Sequence, residues 1–156
     1  MDPKKVECML KWPVPRNLKE LRGFLGLTGY YRRFIKGYGV LAKPLIDLLK
    51  KGSYIWSKKT QPAFEALKQA MVSAPVLALP DFNTLFVVES DACHEGICVV
   101  LSQKGRPIAY FSKGLGPKHQ MLSVYDKKML AILAAVKKWS SYLMGPIFRS
   151  KQIIKV

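Results

Sequence analysis

Residues 85–101 read LFVVESDACHEGICVVL. Two apolar runs, Leu85 to Val88 and Ile97 to Leu101, flank a short polar segment. Runs this short, rich in β-branched and aromatic side chains, predict strands rather than helices. His94, Glu95 and Gly96 lie between them, so the pair predicts an antiparallel hairpin with a small loop. Asp91 falls near the end of the first run, beside Ala92. A carboxylate in an apolar strand costs desolvation energy unless something compensates it. Two readings stay open on these residues alone: a turn-initiating aspartate, or a metal ligand on the central strand of an α/β enzyme.

Downstream of the hairpin, Arg106–Phe111 predicts a third strand. A loop, SKGLGPKHQ, follows it. Residues 122–143 predict a long helix with Met129, Ile132, Leu133, Val136 and Leu143 on its core side. Gly145–Pro146 stops that helix, and the last ten residues, IFRSKQIIKV, predict the start of a fourth strand.

Upstream, SAPVLALPDF reads as extended between its prolines. Residues 60–73 predict an amphipathic helix burying Phe64, Leu67, Ala70 and Met71, capped by Thr60 or Ser57. Residues 40–50 predict another, with Pro44 marking a bend or a late start. Residues 18–36 predict a third, opened by Asn17 with Glu20 three residues on. Lys4–Trp12 suits a short first helix.

The helix over 18–36 carries three glycines, Gly23, Gly26 and Gly29, at three-residue spacing. Each costs up to about 1 kcal/mol against Ala in a helix interior. Missing side chains permit close approach, either by another helix or by a sugar–phosphate backbone. Arg22, Arg32, Arg33 and Lys36 lie nearby and suit phosphate contacts. Of the adjacent tyrosines, Tyr31 is expected inside and Tyr30 outside, where its ring can stack on a base or sugar.

Bulk charge points the same way. Twenty-six Lys+Arg against ten Asp+Glu give +16, which suggests a polyanionic partner, most often nucleic acid. No apolar run reaches the ~18 residues of a membrane span, and the start has no signal-peptide pattern. An intracellular, reducing setting is the expectation, with no membrane partner. Cys8, Cys93 and Cys98 read as free thiols. Cys93, His94, Glu95 and Cys98 superficially suggest zinc, but only distant His119 is left to add to them, and a hairpin loop is the preferred reading.

Taken together, ELRGFLGLTGYYRRFI, then PLIDLLKKG, then AFEALKQAMVSAPVLALPDF and a strand bearing SDA closely resemble the Pol polyprotein of gypsy-type long-terminal-repeat retrotransposons. VLSQKGRPIAYFSKGL and LSVYDKKMLAILAAVKKWSSYLMG continue the resemblance to about Gly145. It implies an α/β protein: a reverse transcriptase thumb-like helical unit over 1–52, then an incomplete ribonuclease H-like mixed sheet with a long packed helix over 53–156. It implies nucleic acid as partner, as RNA–DNA hybrid or duplex DNA. It also raises Asp91 to the first metal-binding aspartate of a ribonuclease H site, where several carboxylates converge on two divalent ions, Mg²⁺ in the family.

The departures bear on activity. The family pattern on the long helix is YEKE, and here the run is Tyr125-Asp126-Lys127-Lys128, so Lys128 stands in place of the second carboxylate. Cys98 replaces a usual glycine. The third carboxylate normally follows the fourth strand, beyond Val156. The polymerase YxDD motif does not occur in these residues. The expectation is a relic or fragment that neither polymerises nor hydrolyses alone, with a non-catalytic basic nucleic-acid-binding module as the alternative.

Overall fold

The computed structural model describes residues 2–50, 52 and 54–143, and the backbone of 152–155. The predicted stop at Gly145–Pro146 lies outside them.

Polar side chains satisfy first-turn backbone amides of the first two helices. The Asp2 carboxylate accepts from the Lys4 amide at 3.0 Å and opens α1, Pro3–Leu10. Asn17 Oδ1 accepts from the Glu20 amide at 2.9 Å, and Glu20 Oε2 accepts from the Arg16 amide at 2.7 Å. This reciprocal cap opens α2, Leu18–Tyr30. The helix stops short of the predicted residue 36 and tightens into a 3₁₀ turn over Arg32–Phe34. The Thr28 hydroxyl bonds back to the Phe24 carbonyl and meets the Tyr38 hydroxyl, both at 3.0 Å, which pins the end of α2. Gly37, at φ +71°, then turns the chain into α3, Tyr38–Leu41. α4, Lys43–Lys50, starts afresh with Pro44 in its first turn.

α5, Thr60–Val72, opens without the expected side-chain cap. Lys59 holds the cap position, while the Ser57 amide donates to Thr60 Oγ1 at 2.7 Å. Its buried side, Phe64, Leu67 and Met71, shares one core with Met9, Leu21, Phe24, Ile35 and Leu45. The helical core therefore runs on past residue 52.

Residues 73–85 carry no regular element and bridge to the sheet. The Ala78 amide donates to the Pro107 carbonyl at 2.8 Å. The buried Gln103 amide donates to the Asp81 and Thr84 carbonyls and accepts from the Asp81 amide. Among the described residues the strands are β1, Phe86–Ala92, β2, Gly96–Gln103, β3, Arg106–Gly114, and β4, Gln152–Lys155. Their order is β3-β2-β1-β4; β4 runs parallel to β1 and the other pairs are antiparallel, so the sheet is mixed. Each hairpin strand extends beyond its apolar run, because Glu89 to Ala92 pair with Val100 to Ile97. Polar strand residues are tolerated there because backbone pairing, not side-chain burial, holds them.

α6, Pro117–Gln120, precedes α7, Val124–Lys138, and α8, Ser140–Leu143. α7 packs on the sheet face of Phe86, Val88, Ile97, Val99 and Leu101. Its packed side differs from the expected one. Ile132 and Leu143 are buried as expected, but Met129 and Leu133 are 39% and 62% exposed, and Ala131, Ala135 and Trp139 take their place. Alanines let a helix lie close on a sheet; the bulkier Met129 and Leu133 project from the outer side.

The other sheet face receives α3. The Gly39 amide donates to Ser112 Oγ at 2.6 Å. A Cβ at Gly39 would sit 2.8 Å from the Ser112 carbonyl, and one at Gly96 would sit 2.7 Å from the Lys113 oxygen. Only glycine permits this approach, so these residues lock the helical unit onto the sheet.

Candidate nucleic-acid interface and the Asp91 position

The predicted phosphate contacts fall into three places. The first is the outer face of α2. Arg22, Gly23, Gly26 and Tyr30 are all exposed, with Tyr30 at 76%. Nothing lies within 4 Å of a Cβ built at Gly23 or Gly26, so these glycines face open space. Gly29 differs: its Cβ would meet the Tyr38 hydroxyl at 3.5 Å. Tyr31 is half-buried as expected, with Tyr30 edge-on to it at 5.0 Å between ring centroids.

The second place is the 3₁₀ turn. Arg32 and Arg33 are exposed and, with Gly29 and Tyr30, form one wall of a cleft of about 310 Å³. The floor is Ala109 to Ser112 of β3, and Lys138, Trp139 and Tyr142 form the far wall. Among the described residues no carboxylate pairs with Arg32, Arg33 or Lys138. Lys138, Trp139 and Tyr110 were not singled out from sequence. They are far from Arg32 in the chain, and only docking of the helical unit on the sheet brings them together.

The third place is the Asp91 end of the hairpin. Asp91 is exposed, pairs across the sheet with Cys98, and accepts from the Ala92 amide through Oδ1 at 2.9 Å. Side chains alternate along a strand. Val88 belongs to the face covered by α7, so Asp91 lies on the opposite face with Cys98, toward the helical unit. A Cβ at Gly37 would sit 3.8 Å from Cys98 Sγ, which places the neighbouring Lys36 at this end too. Burial pushes the Cys98 thiol up; nearby Cys93 and Asp91 add to this, and Lys36 opposes it.

No ion pair joins Lys128 to Asp91 among the described residues. Asp126 is engaged elsewhere: it accepts from Ser123 Oγ at 2.7 Å while its amide donates to the same oxygen, forming the N-cap of α7. Among the described residues no three His, Cys, Asp or Glu side chains group to hold a metal ion. Mg²⁺ asks for near-octahedral oxygen ligation, and among the described residues no cluster of carboxylates of the kind two-metal chemistry uses forms around Asp91. Nor do Cys93, His94, Glu95 and Cys98 gather for zinc: the Cys93 amide closes the tight turn on the Gly96 carbonyl at 2.9 Å, and His94 and Glu95 point into a separate cleft beside Lys43 and Gln120. No helix among the described residues is long and apolar enough to cross a membrane.

Residues 56–150 match the model of the RNase H-like domain found in reverse transcriptase. The chain is 42% identical over 149 residues to the retrovirus-related Pol polyprotein from transposon 297 of Drosophila melanogaster, covering 94% of this chain and 14% of that one. It is 58% identical over 86 residues to an uncharacterized mitochondrial protein of Arabidopsis thaliana, covering 55% and 54%. Among solved structures, a foamy viral protease-reverse transcriptase bound to double-stranded DNA superposes with TM-score 0.87 at 22% identity, over 100% of this chain and 28% of that one. The same viral protein with RNA/DNA hybrid gives 0.81 at 19%, over 99% and 27%. The chain thus spans about a seventh of the Drosophila polyprotein.

Proposed function

The chain belongs to the RNase H-like domain family found in reverse transcriptase, and on that premise we propose that these residues are a duplex-binding segment of a retrotransposon Pol that does not cut nucleic acid by itself. Its ligand is RNA–DNA hybrid or duplex DNA, held by the backbone without sequence preference. One observation carries the reading: exposed Arg22, Arg32 and Arg33, with open Gly23 and Gly26, lie along α2 and the turn that follows, and exposed Lys36 stands beyond them by Cys98. Glycines without neighbours let a sugar–phosphate backbone come close, and arginines grip phosphates in bidentate fashion. Tyr30 adds an exposed ring against a sugar or terminal base. The solved relatives named above were captured with double-stranded DNA and RNA/DNA hybrid, which supports the choice of ligand.

The absence of hydrolysis follows from Asp91 and Lys128. Two-metal cleavage depends on converging carboxylates that hold two cations. Asp91 supplies one, and a lysine stands where the family has the second. Filter binding with two hybrids of unrelated sequence tests the binding reading. Equal affinities are expected, with duplex DNA comparable. A strong preference for one sequence, or no retention of either, would contradict it.

A further inference from the structure

The cleft at the edge of β3 sets Arg32 and Arg33, two of the residues assigned above to the duplex backbone, beside aromatic rings and a sheet edge that backbone gripping does not use. It combines three cations, Arg32, Arg33 and Lys138, with the rings of Tyr30, Tyr110, Phe111, Trp139 and Tyr142. Trp139 is packed at 5% exposure and edge-on to Phe111, and Tyr142 is stacked on Phe82, so this wall is rigid. β3 is an edge strand among the described residues, and beyond the Pro107 carbonyl taken by the Ala78 amide no described strand pairs with its outer side. At about 310 Å³ the cleft is at the lower end of the sizes that take a small molecule. A duplex is too wide for it.

We propose that this cleft binds one unpaired nucleotide. Arg32 and Arg33 hold its phosphate, an aromatic ring stacks on its base, and the open edge of β3 offers hydrogen bonds to the base edge. Stacking on an aromatic ring tolerates any base, so the site selects an unpaired nucleotide rather than a sequence. The nucleotide comes either free or as the overhanging end of a strand whose duplex portion lies along α2. The second source rests on the duplex-binding reading above, and the first does not.

Equilibrium dialysis of adenosine 5′-monophosphate against the full chain tests the site, with adenosine and inorganic phosphate as competitors. Anisotropy of hybrids with a blunt end or a one-nucleotide overhang tests the source. The expected results are saturable nucleotide binding, weak competition by phosphate alone, and overhang binding about tenfold tighter than blunt. Arg32→Gln with Arg33→Gln abolishes nucleotide binding, and Tyr110→Leu weakens it; Lys118→Gln with Lys59→Gln, an equal loss of two charges outside the cleft, leaves it intact. Nucleotide binding without overhang preference assigns the site to the free form. Phosphate competing as well as the nucleotide, binding indifferent to Arg32 and Arg33, or no nucleotide binding with no overhang preference overturns the proposal. In each of those cases blunt-duplex binding still reports on α2 separately.

Discussion

Replacing both Gly23 and Gly26 by alanine separates the stability of α2 from its use. Both lie in the helix interior, and a Cβ at either position meets nothing within 4 Å. No clash offsets the gain in helix propensity, about 0.8–1 kcal/mol for each Gly→Ala change. Together they add just under ~2 kcal/mol, which for a chain of this size raises the melting temperature by about 4–8 °C. A protein that merely folds would keep alanine here. If a sugar–phosphate backbone lies along this face, two methyl groups hold it off and the phosphate contacts of Arg22 lengthen. The double variant should therefore melt higher and bind hybrid more weakly, read by calorimetry and by anisotropy in the same buffer. A lower melting temperature would refute the open-face geometry. A higher one with unchanged affinity would refute the assignment of the glycines to the interface.

Gly39→Ala should do the opposite of Gly26→Ala: its Cβ meets the Ser112 backbone at 2.8 Å, so the helical unit lifts from the sheet, with faster amide exchange across β3 and a lower melting temperature. The purified chain should leave labelled hybrid uncut with Mg²⁺ or Mn²⁺, and Lys128→Glu alone should not restore cutting; metal-dependent cleavage abolished by Asp91→Asn would overturn that. Asp47 is raised by burial but more strongly lowered by the Lys43 and Lys50 ammonium groups, so its net shift is downward. A carboxylate depressed in the folded state adds stability above its unfolded pKa and loses it as pH falls through the folded value. Asp47→Asn should accordingly destabilise modestly at neutral pH, and the difference from the wild type should vanish in acid; an undiminished difference at low pH would refute the ion-pair account.

The hairpin was legible because β-branched runs either side of a short polar loop leave few alternatives. The Asn17–Glu20 cap was legible because its bonds are local. What escaped the sequence depended on contact between distant segments. Met129 and Leu133 fit the helical periodicity as well as Ala131 and Ala135 do, and hydrophobicity alone favoured the larger pair. Only the close approach of α7 to the sheet selects the alanines. Asp91 left a turn-initiating reading open, whereas pairing with Cys98 of β2 keeps it in the strand. Of the nucleic-acid set, Tyr30, Arg32 and Arg33 gather in one cleft, while Arg22 and Gly26 lie on the helix and Lys36 stands by Cys98. The sequence put Tyr30 outside and the arginines near the glycines. It held no sign of Lys138 and Trp139, which the docked sheet brings across from Arg32.

The salt dependence of hybrid binding tests the central claim most directly. Each phosphate neutralised contributes roughly −0.9 to the slope of log affinity against log salt on B-form duplex. Replacing Arg32 and Arg33 by glutamine should flatten the slope by about 2 and weaken hybrids of any sequence equally. A slope identical to the wild type, or an affinity indifferent to salt in the unmodified chain, would contradict the account.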